Sequence, residues 1–216
     1  MSKLSIMAAI RERLSVTAED QTRQQTIESR MALHPMNIRP AIGVLEGSAR
    51  LEQFVRGATQ KGASVTRVSD IAAAAASILE VVSDGSRICL TSAAIASGIE
   101  LPADMIDIWT PKTSLDNCLS TCFCAIAESG SLVVRSDAGN SLTQNFLSDR
   151  HFVLLPERDI LASMESVWIK VREEGGMPRD LTLVSGPSST GDIEMRMETG
   201  AHGPRELHIF ILGSDL

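Results

Sequence analysis

The hydrophobic positions along this chain follow two patterns, one typical of helices and one typical of strands. From residue 48 onward, segments with these two patterns alternate. Apolar residues at helical spacing predict helices, while short apolar runs predict strands. The predicted helices span residues 49–60, 70–82 and 160–173, with a short one at 192–198. The predicted strands span residues 64–68, 87–90, 105–109, 132–135, 151–155, 180–184 and 207–212. Such alternation predicts an α/β class, a three-layer domain with a largely parallel sheet.

The amino-terminal third has a different pattern. Residues 4–14 and 18–33 are spaced as two charged amphipathic helices, and the Thr17 hydroxyl is a candidate cap for the second. Prolines at 35 and 40 then indicate an extended connector. We predict an N-terminal helical extension (residues 1–40) followed by one α/β domain (residues 41–216). The extension is expected to pack on its own domain, although it could equally meet a partner subunit.

Composition narrows the class of protein. With 216 residues and 44% hydrophobic content, the chain can bury one sizeable core. Its formal charge of −7 argues against nucleic acid as a partner, because binding to phosphate backbones needs clustered Lys and Arg. The longest apolar stretch, residues 71–82, is too short for a membrane span. No targeting segment is evident, so we expect a cytoplasmic protein.

Turn residues, hydroxyls and carboxylates concentrate between the predicted strands 180–184 and 207–212. Backbone N–H groups at a helix start, together with serine and threonine hydroxyls, can hold a carboxylate or phosphate. The candidate ligand-binding residues here are Gly186, Ser188, Ser189, Thr190, Asp192 and Glu194. Ser189 and Asp192 are equally spaced as a helix cap, and the two carboxylates would repel an anion. Both interpretations stay open.

His202 follows in the same region and is the candidate for proton transfer, because the usual pKa of histidine lies near neutrality. A histidine that only closes a turn is the alternative. His151 falls in a predicted strand and is expected to be a packing residue.

The four cysteines do not have the spacing of a metal site. Cys89, Cys118, Cys122 and Cys124 form neither the Cys-x-x-Cys pairs of structural zinc nor the spacing of an iron–sulfur cluster. Buried, reduced thiols are the expected state, with no metal and no cofactor in this chain.

Two segments carry a family resemblance. The sequence SGPSSTGDIE at 185–194, followed by GAHGPREL at 200–207, is similar to the carboxy-terminal signature of the lactate-utilisation protein C family, short members of the LUD-domain proteins. Residues 125–133, AIAESGSLV, resemble that family's AIAETGTLV. The resemblance implies the architecture shared by sugar-phosphate isomerases and CoA transferases.

The second segment contains a further candidate, Glu128, beside the small-residue turn of Ser129 and Gly130. CoA transferases of this architecture use such a glutamate as a nucleophile, and residues 127–130 are loosely similar to their Ser-Glu-Asn-Gly. We therefore predict Glu128 and His202 as catalytic candidates and Ser129 and Gly130 as ligand-binding. A loop glutamate that accepts hydrogen bonds from turn amides is the alternative for Glu128.

The resemblance implies a function. It indicates a cluster-free subunit of a lactate-utilisation system that supports oxidation of L-lactate to pyruvate, with iron–sulfur clusters in partner proteins. Glu128, Ser188, Asp192 and His202 would then line a pocket for a small hydroxy- or oxo-acid, or form the seat for a partner subunit. The alternatives are a stand-alone CoA-transferase-like or isomerase-like enzyme that uses Glu128, and a regulatory or assembly module without turnover.

Overall fold

A computed structural model describes residues 2–17, 19–33, 39–82, 85–107, 115–136, 142–191 and 197–213. The chain divides into two compact units, Met1–Ile38 and Arg39–Leu216. The helices are α1 (Lys3–Arg13), α2 (Gln21–Leu33), α3 (Gly47–Gln60), α4 (Ile71–Val81), α5 (Ser92–Ala96), α6 (Leu142–Leu147) and α7 (Met164–Glu173). The strands are β1 (Ser64–Val68), β2 (Ile88–Leu90), β3 (Ile106–Asp107), β4 (Leu115–Thr121), β5 (Cys124–Ile126), β6 (Ser131–Arg135), β7 (Ser148–Pro156), β8 (Ile160–Leu161), β9 (Leu181–Val184), β10 (Ser189–Gly191), β11 (Met197–Thr199) and β12 (Glu206–Leu212).

The first unit consists of α1 and α2, as its two amphipathic patterns predict. Ser2 caps α1 through its hydroxyl, which accepts a hydrogen bond from the Ser5 N–H. The prediction that Thr17 caps α2 is wrong. The Asp20 carboxylate caps this helix instead and accepts from the Arg23 N–H at 2.9 Å, because Asp20 directly precedes the first helical residue. Neither helix has a buried residue.

The second unit is built on a six-stranded sheet in the order β1-β12-β7-β4-β2-β3. Every pairing within this sheet is parallel. Its inner strands are buried on both faces, which explains the continuous apolar run Ile209 to Leu212 in β12. The predicted α/β class with a largely parallel sheet is therefore confirmed.

Layers of helix and strand cover both faces of this sheet. On one face, α4 and α5 pack through Ala74, Ile78 and Ala94 against Phe152 and Phe210 of the sheet. On the other face, α3 and a second sheet, in the order β8-β5-β6-β9, form the core that contains the residues Phe54, Ala125, Leu132, Val153 and Ile209. Helix α7 packs through Val167 and Val171 on the far side of the second sheet.

Several elements differ from the sequence prediction, and three of these differences follow from strand pairing. Residues 160–161, predicted as the start of a helix, form β8 because they pair with β5, and α7 begins only at Met164. The strand β9 lies antiparallel to β6 in the second sheet rather than in the parallel one. The predicted helix 192–198 is wrong at its described end, since Met197–Thr199 pairs with Ser189–Gly191 as an antiparallel hairpin.

No helix in the described parts of the chain is long and apolar enough to cross a membrane.

Candidate functional site

The first motif segment forms the hairpin of β5 and β6, and its turn lies directly against α3. Gly130, in this turn, has φ +63° and is buried. A Cβ atom at Gly130 would lie 2.3 Å from the backbone nitrogen of Ala58 and 2.3 Å from the backbone carbon of Gly57. Both the backbone conformation and the close approach to α3 therefore require glycine. Packing alone accounts for glycine at this position, and ligand binding by Gly130 stays a prediction.

The second motif segment begins at the end of the same helix. Gly186 has φ +94°, and a Cβ atom there would lie 2.3 Å from the Lys61 carbonyl oxygen. The two motif segments also touch each other, because the Ser131 and Ser185 hydroxyls lie 2.6 Å apart. Ser129 extends this chain of hydroxyls by donating to Ser131 at 2.9 Å. Two segments that are distant in sequence thus meet beside the carboxyl end of α3.

Lys61 is the residue of this region that the sequence analysis missed. It follows α3 directly, its side chain is exposed, and its ammonium group donates a hydrogen bond to the Ser129 carbonyl. It therefore brings a cation to the place where the hydroxyls of both motif segments meet. A lysine at the end of a helix is common in any sequence, so only the fold shows its proximity to the motifs.

Ser188 joins the second motif segment to the loop that contains His202. Its backbone N–H donates to the Pro204 carbonyl at 2.8 Å, and its carbonyl accepts from the Gly200 N–H at 3.0 Å. Its hydroxyl accepts from the His202 N–H at 3.3 Å. Ser188 is thus held as a structural link, while the His202 side chain is exposed. We name Lys61, Ser129, Ser185, Ser188 and His202 together the motif surface.

The anion site predicted at a helix start does not form from the described residues. Ser189 and Thr190 lie in β10, whose residues pair with Thr199 and Glu198 of β11. A strand pair of this kind lacks the free N–H groups of a helix start, on which the predicted anion site depends. Ser189 is exposed, whereas Asp192 and Glu194 lie outside the described residues.

Glu128 lies at the amino end of α7. One carboxylate oxygen, Oε1, accepts a hydrogen bond from the Met164 N–H, the first of the helix, at 2.9 Å. The other oxygen, Oε2, faces Gly43 so closely that a Cβ atom there would lie 2.7 Å away. A carboxylate that bonds a free helix N–H stabilises the helix end. This geometry favours the alternative interpretation, in which Glu128 accepts hydrogen bonds from the backbone.

His151 is fully buried in β7, as expected for a packing residue, and its Nε2 atom lies 2.7 Å from the Ser120 hydroxyl. Burial lowers the pKa of His151 to about 4, so the ring is neutral at pH 7.

All four cysteines are free thiols. Burial raises the pKa of Cys124 to about 12 and also raises the pKa of Cys118 and Cys122, so these sulfur atoms are protonated and unreactive at neutral pH. Among the residues that the structure describes, no group of three or more His, Cys, Asp or Glu side chains could hold a metal ion.

A polar cavity of about 600 Å³ lies at the edge of the parallel sheet where β4, β7 and β12 begin. Its lining mixes Asp116, Asp149 and Glu206 with Arg150 and Arg205. The motif surface contributes no residue to this cavity. Lys61 precedes β1 and His202 precedes β12, so the motif surface lies toward the same edge. Neither the cavity nor the motif surface is therefore at the carboxyl ends of the parallel strands, where ligands of such sheets usually bind.

The fold and the two motif segments define an α/β protein whose signature turns meet at the end of one helix. The family model of the LUD domain matches residues 110–212 of this chain. The resemblance to LUD-domain proteins that the two segments predict is therefore confirmed.

Similar proteins agree with this assignment. A protein named lactate utilization protein C from Deinococcus radiodurans is 28% identical over 185 residues, which cover 81% of this chain and 84% of that protein. An uncharacterized protein of Neisseria meningitidis serogroup B is 34% identical over 51% of this chain and 48% of its own length. Lactate utilization protein C of Shouchella clausii is 32% identical over 37% of this chain and 36% of its own length. The last two alignments thus span less than half of those relatives.

A solved structure confirms the fold. The crystal structure of a DUF162 family protein from Deinococcus radiodurans superposes with a TM-score of 0.53 at 21% sequence identity. The match covers 78% of this chain and 99% of that one.

Proposed function

We propose that this chain is the cluster-free subunit of a lactate-utilisation system, which supports oxidation of L-lactate to pyruvate together with iron–sulfur partner proteins. The observation that carries the proposal is the similarity to lactate utilization protein C of Deinococcus radiodurans along 84% of that protein. Oxidation of lactate removes two electrons and two protons, and the partner clusters are the acceptors that pass the electrons on. The chain itself then contributes binding surface rather than electron transfer.

The motif surface is the proposed place of action. It combines the Lys61 ammonium group, the Ser129 and Ser185 hydroxyls and the exposed ring of His202. A cation flanked by hydroxyl groups is complementary to a carboxylate, and an imidazole can serve as a general acid or base. These features support contact with a small hydroxy- or oxo-acid or with a partner subunit that presents a carboxylate.

Lactate-dependent reduction of a dye tests the proposal. The rate is compared for this chain alone, for the iron–sulfur proteins alone and for the complete mixture. We expect dye reduction only in the complete mixture. Full activity of the iron–sulfur proteins without this chain would contradict the proposal.

Variants of the motif surface then test its role in the same assay. Lys61→Met removes the cation while keeping a side chain of similar length, and we expect a loss of activity of at least about tenfold if the cation contacts the acid or the partner. Lys170→Met is the matched control, because Lys170 lies on α7 and pairs with Asp159 and Glu174. Equal activity of the two variants would mean that Lys61 does not contact the acid or the partner subunit.

A further inference from the structure

A row of polar side chains crosses the parallel sheet beneath α6. Cys89, Cys118 and His151 are register partners on β2, β4 and β7, and register partners point to the same face of a sheet. All three are at most 2% exposed. Helix α6 meets this row with amide groups: Gln144 lies 3.9 Å from the Cys89 sulfur, and the Cys118 thiol donates to the Asn145 side-chain oxygen at 3.7 Å. We name these five residues the α6 cluster.

Two nitrogen atoms of the α6 cluster have no hydrogen-bond partner among the described residues. They are Nδ1 of His151 and Nδ2 of Asn145, and both residues are 0% exposed. His151 bonds through its other nitrogen to Ser120, and Asn145 bonds through its oxygen to Cys118. Cys118 is the neighbour that both residues share, since it is the register partner of His151 and the bonding partner of Asn145. Buried polar atoms are nearly always paired in proteins, so the two nitrogen atoms need a partner that these side chains do not provide.

The charge state of the cluster limits the chemistry of that partner. Burial keeps the His151 ring neutral and the Cys118 thiol protonated, since it lowers the pKa of the imidazole and raises the pKa of the thiol. Asn145 and Gln144 are uncharged amides. A carboxylate would find no cation here and would lose its hydration without compensation. The cluster therefore suits a small neutral molecule that can both donate and accept hydrogen bonds.

We propose that the α6 cluster binds one internal water molecule, which bridges Nδ1 of His151 and Nδ2 of Asn145. Asn145 Nδ2 is a donor, whereas His151 Nδ1 is a donor in one tautomer and an acceptor in the other. Water can serve both tautomers, and the Cys118 sulfur lies within the same cluster as a weak third partner. Buried waters of this kind make about three hydrogen bonds and form part of the fold.

The water has a structural consequence. Helix α6 is attached to the parallel sheet through Asn145, the water, His151 and Ser120, which form one hydrogen-bonded network from the helix to β4. This site is separate from the motif surface, and by its neutrality it does not take the acid proposed to act there.

A high-resolution crystal structure tests the proposal directly. We expect one density peak within about 3.2 Å of both nitrogen atoms. Absence of the peak, or an Asn145 amide turned to bond His151 directly, would overturn the proposal.

Solution NMR provides a second test that does not depend on a crystal. In the wild type we expect magnetisation transfer from a long-lived water to the His151 ring. Asn145→Leu removes one partner and should abolish the transfer, whereas the matched variant Gln144→Leu, one residue earlier on the same helix, should keep it. Absence of the transfer in the wild type, or its persistence in Asn145→Leu, contradicts the bridge. If Asn145→Leu fails to fold, the wild-type measurement alone decides.

Discussion

The two signature turns of this protein differ in how they are held. The turn with Gly130 is buried, and its backbone touches the backbone of α3 at Ala58. The turn that joins Ser188 and His202 is held by three hydrogen bonds that involve Ser188, while the His202 ring remains exposed. The first turn is therefore a packing element, and the second leaves a side chain free for chemistry.

The family signature therefore contains two kinds of residue, those required for packing and those whose side chains are exposed. Gly130 and Gly186 meet a steric requirement, because any Cβ atom would collide with α3 or with the residue that follows it. His202 meets no such requirement in the described structure. The functional candidates of the signature are accordingly its exposed polar side chains. Variants of both kinds of residue can test whether packing and function are separated in this way.

Gly130→Ala should have the largest effect. The new Cβ atom would overlap Ala58, and the left-handed backbone conformation adds strain for any L-residue. We expect the free energy of unfolding to fall by at least about 3 kcal/mol, measured by urea denaturation. Gly98→Ala is the matched control, since Gly98 has φ +80° but a Cβ atom there meets no described atom within 4 Å. It should lose only about 1 kcal/mol. Equal losses would mean that the close approach to α3 is unimportant.

His151 and His202 should also differ in their effect on the pH dependence of stability. His151 is buried with a pKa of about 4, below its value of 6.5 in the unfolded chain. Between these values the unfolded state binds a proton that the folded state does not, so stability decreases as pH falls from about 6.5 to 4, by on the order of 3 kcal/mol. Denaturation followed from pH 7 to pH 5 should show this slope in the wild type and in His202→Ala. His151→Gln should remove it, and a slope that persists in His151→Gln would contradict this assignment.

Glu128 should have an intermediate effect. Glu128→Ala leaves the Met164 N–H without its acceptor and should cost about 1–2 kcal/mol of unfolding free energy. Glu128→Gln keeps an acceptor oxygen and should cost less than about 1 kcal/mol. Thermal denaturation of both variants measures the difference. A catalytic role would appear instead as a lost activity of Glu128→Gln at nearly unchanged stability.

His202→Ala should have the smallest effect on stability, within about 0.5 kcal/mol, because the ring is exposed and the fold uses only the backbone N–H of this residue. Thermal denaturation checks this value. A large loss would mean that His202 closes the turn through its side chain, and the two turns would then no longer differ.

The local pattern of hydrophobic residues correctly predicted the elements that pack through apolar side chains. The helix α3 and the strand β1 follow from their spacing, and Asp70 caps α4 as a helix-start residue should. The strand β4 was missed, although it is central to the sheet. Its sequence contains Asn117, Cys118 and Ser120, which form hydrogen bonds with distant residues such as Ser86, Asn145 and His151. A pattern of hydrophobic positions contains no information about such partners.

The candidate site could be predicted only in part for a similar reason. The motifs identified both segments, but not that they meet at the end of α3, because that contact depends on the pairing of β9 with β6. Lys61 belongs to neither motif segment, and only its hydrogen bond to Ser129 shows that it lies beside them. The described end of the predicted helix 192–198 belongs instead to β11, which pairs with β10.

Lactate-dependent dye reduction by the complete mixture, measured with His202→Ala beside Gln144→Leu, tests the central claim most directly. Both variants are first shown to melt as cooperatively as the wild type. We expect His202→Ala to lose at least about tenfold in rate, as for removal of a group that transfers a proton, while Gln144→Leu keeps the wild-type rate. A wild-type rate for His202→Ala would contradict the claim that the exposed turn, rather than the buried one, carries the function.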